Sequence, residues 1–126
     1  MMDRTRFDEY CRMFSTSQDK AGVFDRYYDP DATFEHPFKG TFKGRESIVG
    51  FWTQGHRGIQ EVLVPTNVLF DGGRIAAEFR IDWHCVEDTE YLGRRKRGQV
   101  YHAECAAFYF LQNGRFARVK LYLKEL

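Results

Sequence analysis

Apolar residues recur along this chain in two rhythms, and the rhythm changes near the middle. In the first half, Phe7, Tyr10, Cys11 and Phe14 stand three and four apart, the spacing of one helix face. Ser15-Thr16-Ser17 interrupts that face and offers N-cap hydroxyls to a second helix carrying Val23, Phe24, Tyr27 and Tyr28. The second helix is expected to stop at Asp29-Pro30, because a residue before proline is pushed out of the helical region. A short alternating run at 32–36 then puts Ala32, Phe34 and His36 on one side of a strand. FKGTFKG makes a glycine-punctuated bend, and a third helix over about 45–56 presents Ile48, Val49, Phe51 and Trp52.

From residue 59 onward the period becomes two. Residues 59–70 read as a long strand interrupted at Pro65, where a bulge or a sheet edge is expected. Asp71-Gly72-Gly73 turns the chain into a strand over 74–86. Its alternation separates Ile75, Ala77, Phe79, Ile81, Trp83 and Cys85 from Ala76, Glu78, Arg80, Asp82 and His84. The first set belongs to a buried concave face and the second to solvent or a partner subunit. Residues 87–98, including RRKRG, are charged and aperiodic and read as an exposed hairpin loop. A strand over 99–111, a turn at Asn113-Gly114 and a strand over 115–123 complete the chain, the last offering Val119, Leu121 and Leu123 inward. Three helices followed by long antiparallel strands imply an α+β domain whose sheet curls over the helices.

Length and composition narrow this further. The 126 residues make one ordinary domain, large enough for a real core. Twelve Phe and seven Tyr exceed what a small core needs and point to an aromatic-lined interior space. Nineteen Lys and Arg against 18 Asp and Glu leave a net charge of +1, so no global field favours a nucleic acid partner. Cys11, Cys85 and Cys105 are an odd, scattered set among apolar neighbours, the pattern of reduced thiols in a cytoplasmic protein. The N-terminus has no apolar signal-like core and no run approaches a bilayer span, so no membrane role is expected.

The order of elements, the DPDATFEHP strand entry, the Gly44 to Trp52 helix and the closing FYFLQNGRFARVKLYL hairpin resemble the nuclear transport factor 2-like superfamily. The nearest local pattern is that of its ketosteroid isomerase-like and SnoaL-like polyketide cyclase branch, and it covers roughly residues 5–125 of a single domain, 1–126. The resemblance implies a cone: a curved, mixed but mostly antiparallel sheet wrapped around three N-terminal helices. In the isomerases an acidic base directly precedes a proline at the end of the first strand, and here that place is held by His36. The neutral acid of the oxyanion site maps near Ala106, and Tyr10 lies about one turn from the oxyanion tyrosine, so two of three positions depart. The resemblance turns Val100, His102, Glu104, Ala106, Phe108 and Phe110 inward. A one-residue slip or a bulge would turn in Tyr101, Ala103, Cys105, Ala107 and Tyr109 instead.

With that inward set, His36, His102 and Glu104 are the strongly polar groups of the cone, walled by Tyr10, Phe34, Trp52, Phe79, Trp83 and Phe108. A mostly apolar space with few convergent polar groups is the composition of a ligand pocket. A buried Glu104 needs a partner or a raised pKa, and His102 is placed to supply the partner. The expected chemistry is cofactor-free acid/base catalysis on a small hydrophobic carbonyl compound: isomerisation, cyclisation or dehydration. His36 is the base, His102 and Glu104 a second proton-transfer group, and Tyr10 the enolate donor. The rival is a non-catalytic binding or dimerising module of the same fold. A metal on His36, His102 and Glu104 has acceptable ligand types but no compact spacing. Family members commonly pair through their sheets, which implies a homodimer.

Overall fold

The computed structural model describes residues 2–126. Helix α1 (Arg4–Thr16) starts where the Asp3 carboxylate accepts the backbone N–H of Arg6 at 2.8 Å, satisfying a donor the first turn leaves free. Its apolar stripe, Phe7, Tyr10, Cys11 and Phe14, is buried throughout. Helix α2 (Lys20–Tyr27) is capped the same way by Asp19, which accepts from Gly22 at 3.1 Å. It ends one residue before Tyr28, because β1 (Tyr28–His36) runs extended straight through Asp29-Pro30. Strand β2 (Gly40–Lys43) folds back on β1, and helix α3 (Arg45–Gly55) buries Ile48 and Phe51.

The second half is sheet. Strands β3 (Ile59–Asp71) and β4 (Arg74–Cys85) form one hairpin, and β7 (Val100–Gln112) and β8 (Arg115–Glu125) form another, closed by Asn113 and Gly114 at positive φ. The sheet order is β2-β1-β8-β7-β4-β3, antiparallel except for β1 beside β8. The α+β cone is therefore the fold, with the core between the helices and the concave face. The inward set of β4 is buried as its alternation requires.

Strand β7 takes the other of its two phases. Tyr101, Ala103, Cys105, Ala107 and Tyr109 are buried, each directly opposite an inward residue of β4. His102, Glu104 and Phe108 consequently face outward. Residues directly opposite in an antiparallel pair share a face, so the apolar phase of β4 selects the apolar phase of β7. The opposite choice would have buried an acid and an imidazole in place of three small apolar side chains and two tyrosines.

Two irregularities matter below. In β3 the register slips between Pro65 and Asn67, leaving Thr66 unpaired as a bulge. The 87–98 segment is a hairpin, with β5 (Thr89–Glu90) paired to β6 (Arg94–Arg95), and its charged residues are exposed as expected except Arg95, which packs over the Tyr101 ring. Its tip is not: Tyr91 is buried, while Leu92 and Gly93 turn the chain at positive φ.

Candidate functional site

The concave side of the sheet, α1 and α3 enclose a cavity lined by Tyr10, Phe34, Trp52, Phe79 and Trp83, all expected there, and by Tyr91. It measures about 30 Å³, room for one or two waters. The aromatic side chains fill most of the cone.

One acid lines this space. Glu61 sits on β3 directly opposite Trp83 on β4, and the Trp83 indole N–H donates to its Oε1. The residue is 6% exposed, and Oε2 is buried without a partner. Burial disfavours the charged form and pushes the carboxyl up to about 7; the Trp83 bond and the Lys20 charge oppose this without overcoming it. A carboxyl that titrates near neutrality can both take and return a proton under ordinary conditions.

His56, at the C-terminal end of α3, stands beside it, with Nε2 3.6 Å from Glu61 Oε1. That gap exceeds a hydrogen bond. Its ring is held between Trp52 and Tyr91, with centroids 4.3 and 4.1 Å away. Both ring nitrogens are buried without partners, and so is Trp52 Nε1. Burial, with His36 nearby, lowers the imidazole to about 3, so it is neutral. Four unpartnered buried polar atoms thus gather around Glu61, His56 and Trp52, where native interiors ordinarily leave almost none.

His36 is buried at the end of β1, as its alternation requires, but it does not line the cavity. Its Nδ1 accepts the backbone N–H groups of Phe38 and Lys39, each at 3.1 Å. An imidazole accepting at Nδ1 carries its proton on Nε2, which lies 3.1 Å from the Tyr91 hydroxyl and donates to it. Burial and the Lys39 charge lower its pKa to about 4. Both nitrogens are committed, so His36 holds the Tyr91 hydroxyl in place and has no lone pair for a substrate proton.

The other expected polar residues lie elsewhere. His102 is on the convex face, its side chain 52% exposed and its Nδ1 2.6 Å from Asp82. Glu104 is exposed on the same face, and Phe108 is 43% exposed beside Tyr122. The trio of His36, His102 and Glu104 is therefore not one site. Tyr10 does line the cavity, its hydroxyl 3.1 Å from that of Tyr28, and burial raises its pKa well above the ordinary tyrosine value.

A second depression opens on the same acid from outside. It holds about 410 Å³ between the α1–α2 junction, the end of α3 and the start of β3. Phe14, Trp52 and Glu61 line both spaces, so the wall between them is one residue thick.

Residues 7–119 match the SnoaL-like domain model. The chain belongs to that family. Its fold is that of the nuclear transport factor 2-like superfamily, and solved SnoaL-like structures superpose closely. A proposed polyketide cyclase from Xanthomonas campestris gives a TM-score of 0.78 at 19% identity, over 92% of this chain and 85% of that one. A proposed SnoaL-like polyketide cyclase from Jannaschia gives 0.77 at 16% identity, over 98% and 92%. A proposed polyketide cyclase from Pseudomonas putida gives 0.74 at 25% identity, over 92% and 86%. No curated relative matches the chain.

The polar heart of this SnoaL-like cone, Glu61 with His56, was missed by sequence reasoning. A signal existed for Glu61: it shares a strand phase with Ile59 and Leu63, an acid on an otherwise apolar side. His56 gave none, since a histidine just beyond a helix ordinarily reads as a polar end.

Proposed function

We propose that this chain binds a small, largely apolar carbonyl compound and moves a proton on it without a cofactor, as an isomerase, cyclase or dehydratase would, with Glu61 carrying the proton. The observation behind this reading is a buried carboxyl titrating near 7, one oxygen fixed by Trp83 and the other free.

The step balances within the chain. The ionised Oε2 takes a proton from carbon next to the substrate carbonyl, and the C–H electron pair moves into an enolate. The unpartnered Trp52 N–H is the donor available to the enolate oxygen, in a setting dry enough for that bond to count. The protonated carboxyl then returns the proton to a second carbon, or the enolate carbon attacks a second carbonyl and closes a ring. Neutral His56 beside the carboxyl adds no charge that would hold Glu61 permanently ionised. The polyketide cyclase names of the structural neighbours are in keeping with this chemistry. Pairing of two copies through the convex face, where Phe108 and Tyr122 stand exposed, belongs to the same reading and is tested by sedimentation.

Deuterium uptake at the α-carbons of 2-tetralone in heavy water is the direct test. The wild-type protein should accelerate it, and Glu61→Gln should abolish the acceleration. Binding of 2-tetralone without exchange would make the chain a small-molecule carrier of the same fold. Neither binding nor exchange would leave the cone a scaffold packed by its own side chains.

A further inference from the structure

We propose that the outer groove is a binding site for the carboxylate of the substrate, so that the compound handled at Glu61 is an oxo acid held by Lys20. This rests on Glu61 being the working group, and it names the substrate class that group serves.

The groove has the size of a ligand site at about 410 Å³, whereas the inner cavity at about 30 Å³ has not. Phe14, Trp52, Ile59 and Val86 supply apolar wall, and His56 and Glu61, each more than nine-tenths buried, form part of its lining. Three unpartnered atoms, both nitrogens of His56 and Oε2 of Glu61, therefore belong to residues that a molecule in the groove meets. Native chains rarely leave such a cluster unsatisfied unless water or a ligand completes it.

The charge of the groove selects the ligand. Its charged groups are Lys20, Arg57 and Glu61, and Glu61 is held neutral up to about pH 7. Arg57, at the rim, is 4.0 Å from Glu87. Lys20 is half-buried and forms no ion pair with any carboxylate among the described residues. Its ammonium donates to the carbonyl oxygens of Phe14 and Ser17 at the end of α1, which uses two of its three N–H groups. The third has no acceptor among the described residues, and the cation lies 4.2 Å from the Phe14 ring centroid, at the apolar wall. A partly desolvated ammonium with a spare donor favours an anionic oxygen over a neutral one. Lys20 and Glu61 line the same groove, so one ligand can meet both: a carboxylate at Lys20 and an enolisable carbon at Glu61.

The test compares 2-naphthylacetate with its neutral isostere 2-naphthylacetamide by titration calorimetry at pH 6, where Glu61 carries its proton. The wild-type protein should prefer the acid about tenfold, because the Lys20 ammonium meets a full negative charge on the carboxylate and only a carbonyl dipole on the amide. Lys20→Arg should keep the preference, and Lys20→Met should erase it, bringing acid and amide to the same affinity. Equal binding of acid and amide by the wild type, no binding of either, or a preference surviving in folded Lys20→Met would overturn the proposal. The ratio is read without turnover, so it can fail while deuterium exchange at Glu61 persists, and the reverse.

Discussion

Glu61 and Trp83 face each other across the β3–β4 ladder, and the indole N–H holds one oxygen of the carboxyl while the other is left bare. That bond is the largest influence stabilising the ionised form against burial. Trp83→Phe keeps an aromatic ring, though a smaller one, and removes the donor. The Glu61 titration should then move up by about one unit from its present value near 7, a loss of about 1 to 1.5 kcal/mol of hydrogen bonding. Carbon-13 NMR of the Glu61 carboxyl across pH reads this directly, and an unmoved midpoint would show that Trp83 serves packing alone.

Catalysis through an ionised Glu61 predicts a rate of exchange that climbs with pH and levels off above about 7. Removing a general base costs about 10²- to 10⁴-fold, and Glu61→Gln should lose that much while keeping its fold by circular dichroism. A flat profile between pH 5 and 8 in the wild type would exclude this carboxyl as the base.

The same carboxyl leaves a mark on stability. Its pKa is raised in the folded state from 4.5 to about 7, so the folded chain holds a proton that the unfolded chain releases. The stability this provides is complete below about pH 4.5 and is lost as pH rises towards about 7. Glu61→Gln should therefore gain on the wild type across that window, by up to about 3 kcal/mol. His36 and His56 act in the opposite sense, being lowered to about 4 and about 3, so wild-type stability also falls as pH drops below about 6.5. Urea unfolding of both proteins at pH 4, 5.5 and 7.5 separates the two effects.

His36 and Tyr91 make a contrasting pair. If His36 anchors the hairpin tip, His36→Ala should cost about 2 kcal/mol, since two backbone N–H groups lose their acceptor, while exchange continues. Tyr91→Phe should release the tip with a smaller cost and faster amide hydrogen exchange over residues 87–98. Loss of α-carbon exchange in a folded His36→Ala protein would restore the imidazole as the base.

His102 and Glu104 stand on the convex face, where ion pairs are worth little. His102→Ala and Glu104→Ala should each change stability by no more than about 0.5 kcal/mol and leave exchange unaltered. A large loss of exchange in either would require a second site on the outer face.

The sequence by itself determined the elements and most of the core. Helix spacing placed Phe7, Tyr10, Cys11 and Phe14, alternation placed the inward side of β4, and Asn113-Gly114 fixed the closing hairpin, because each of these is dictated by neighbours a few residues away. The site was decided at longer range. Counting back from the 71–74 turn with unbroken pairing would set Val62 opposite Trp83; the bulge at Thr66 shifts the strand by one residue and delivers Glu61 instead. The phase of β7 was likewise set by β4 across a loop of variable reach, which turned His102 and Glu104 outward. His56 and Tyr91 met that acid through the packing of α3 and the 87–98 hairpin, contacts that no local pattern encodes. Periodicity fixes which residues share a face of one strand, but only pairing between strands decides which face is inside.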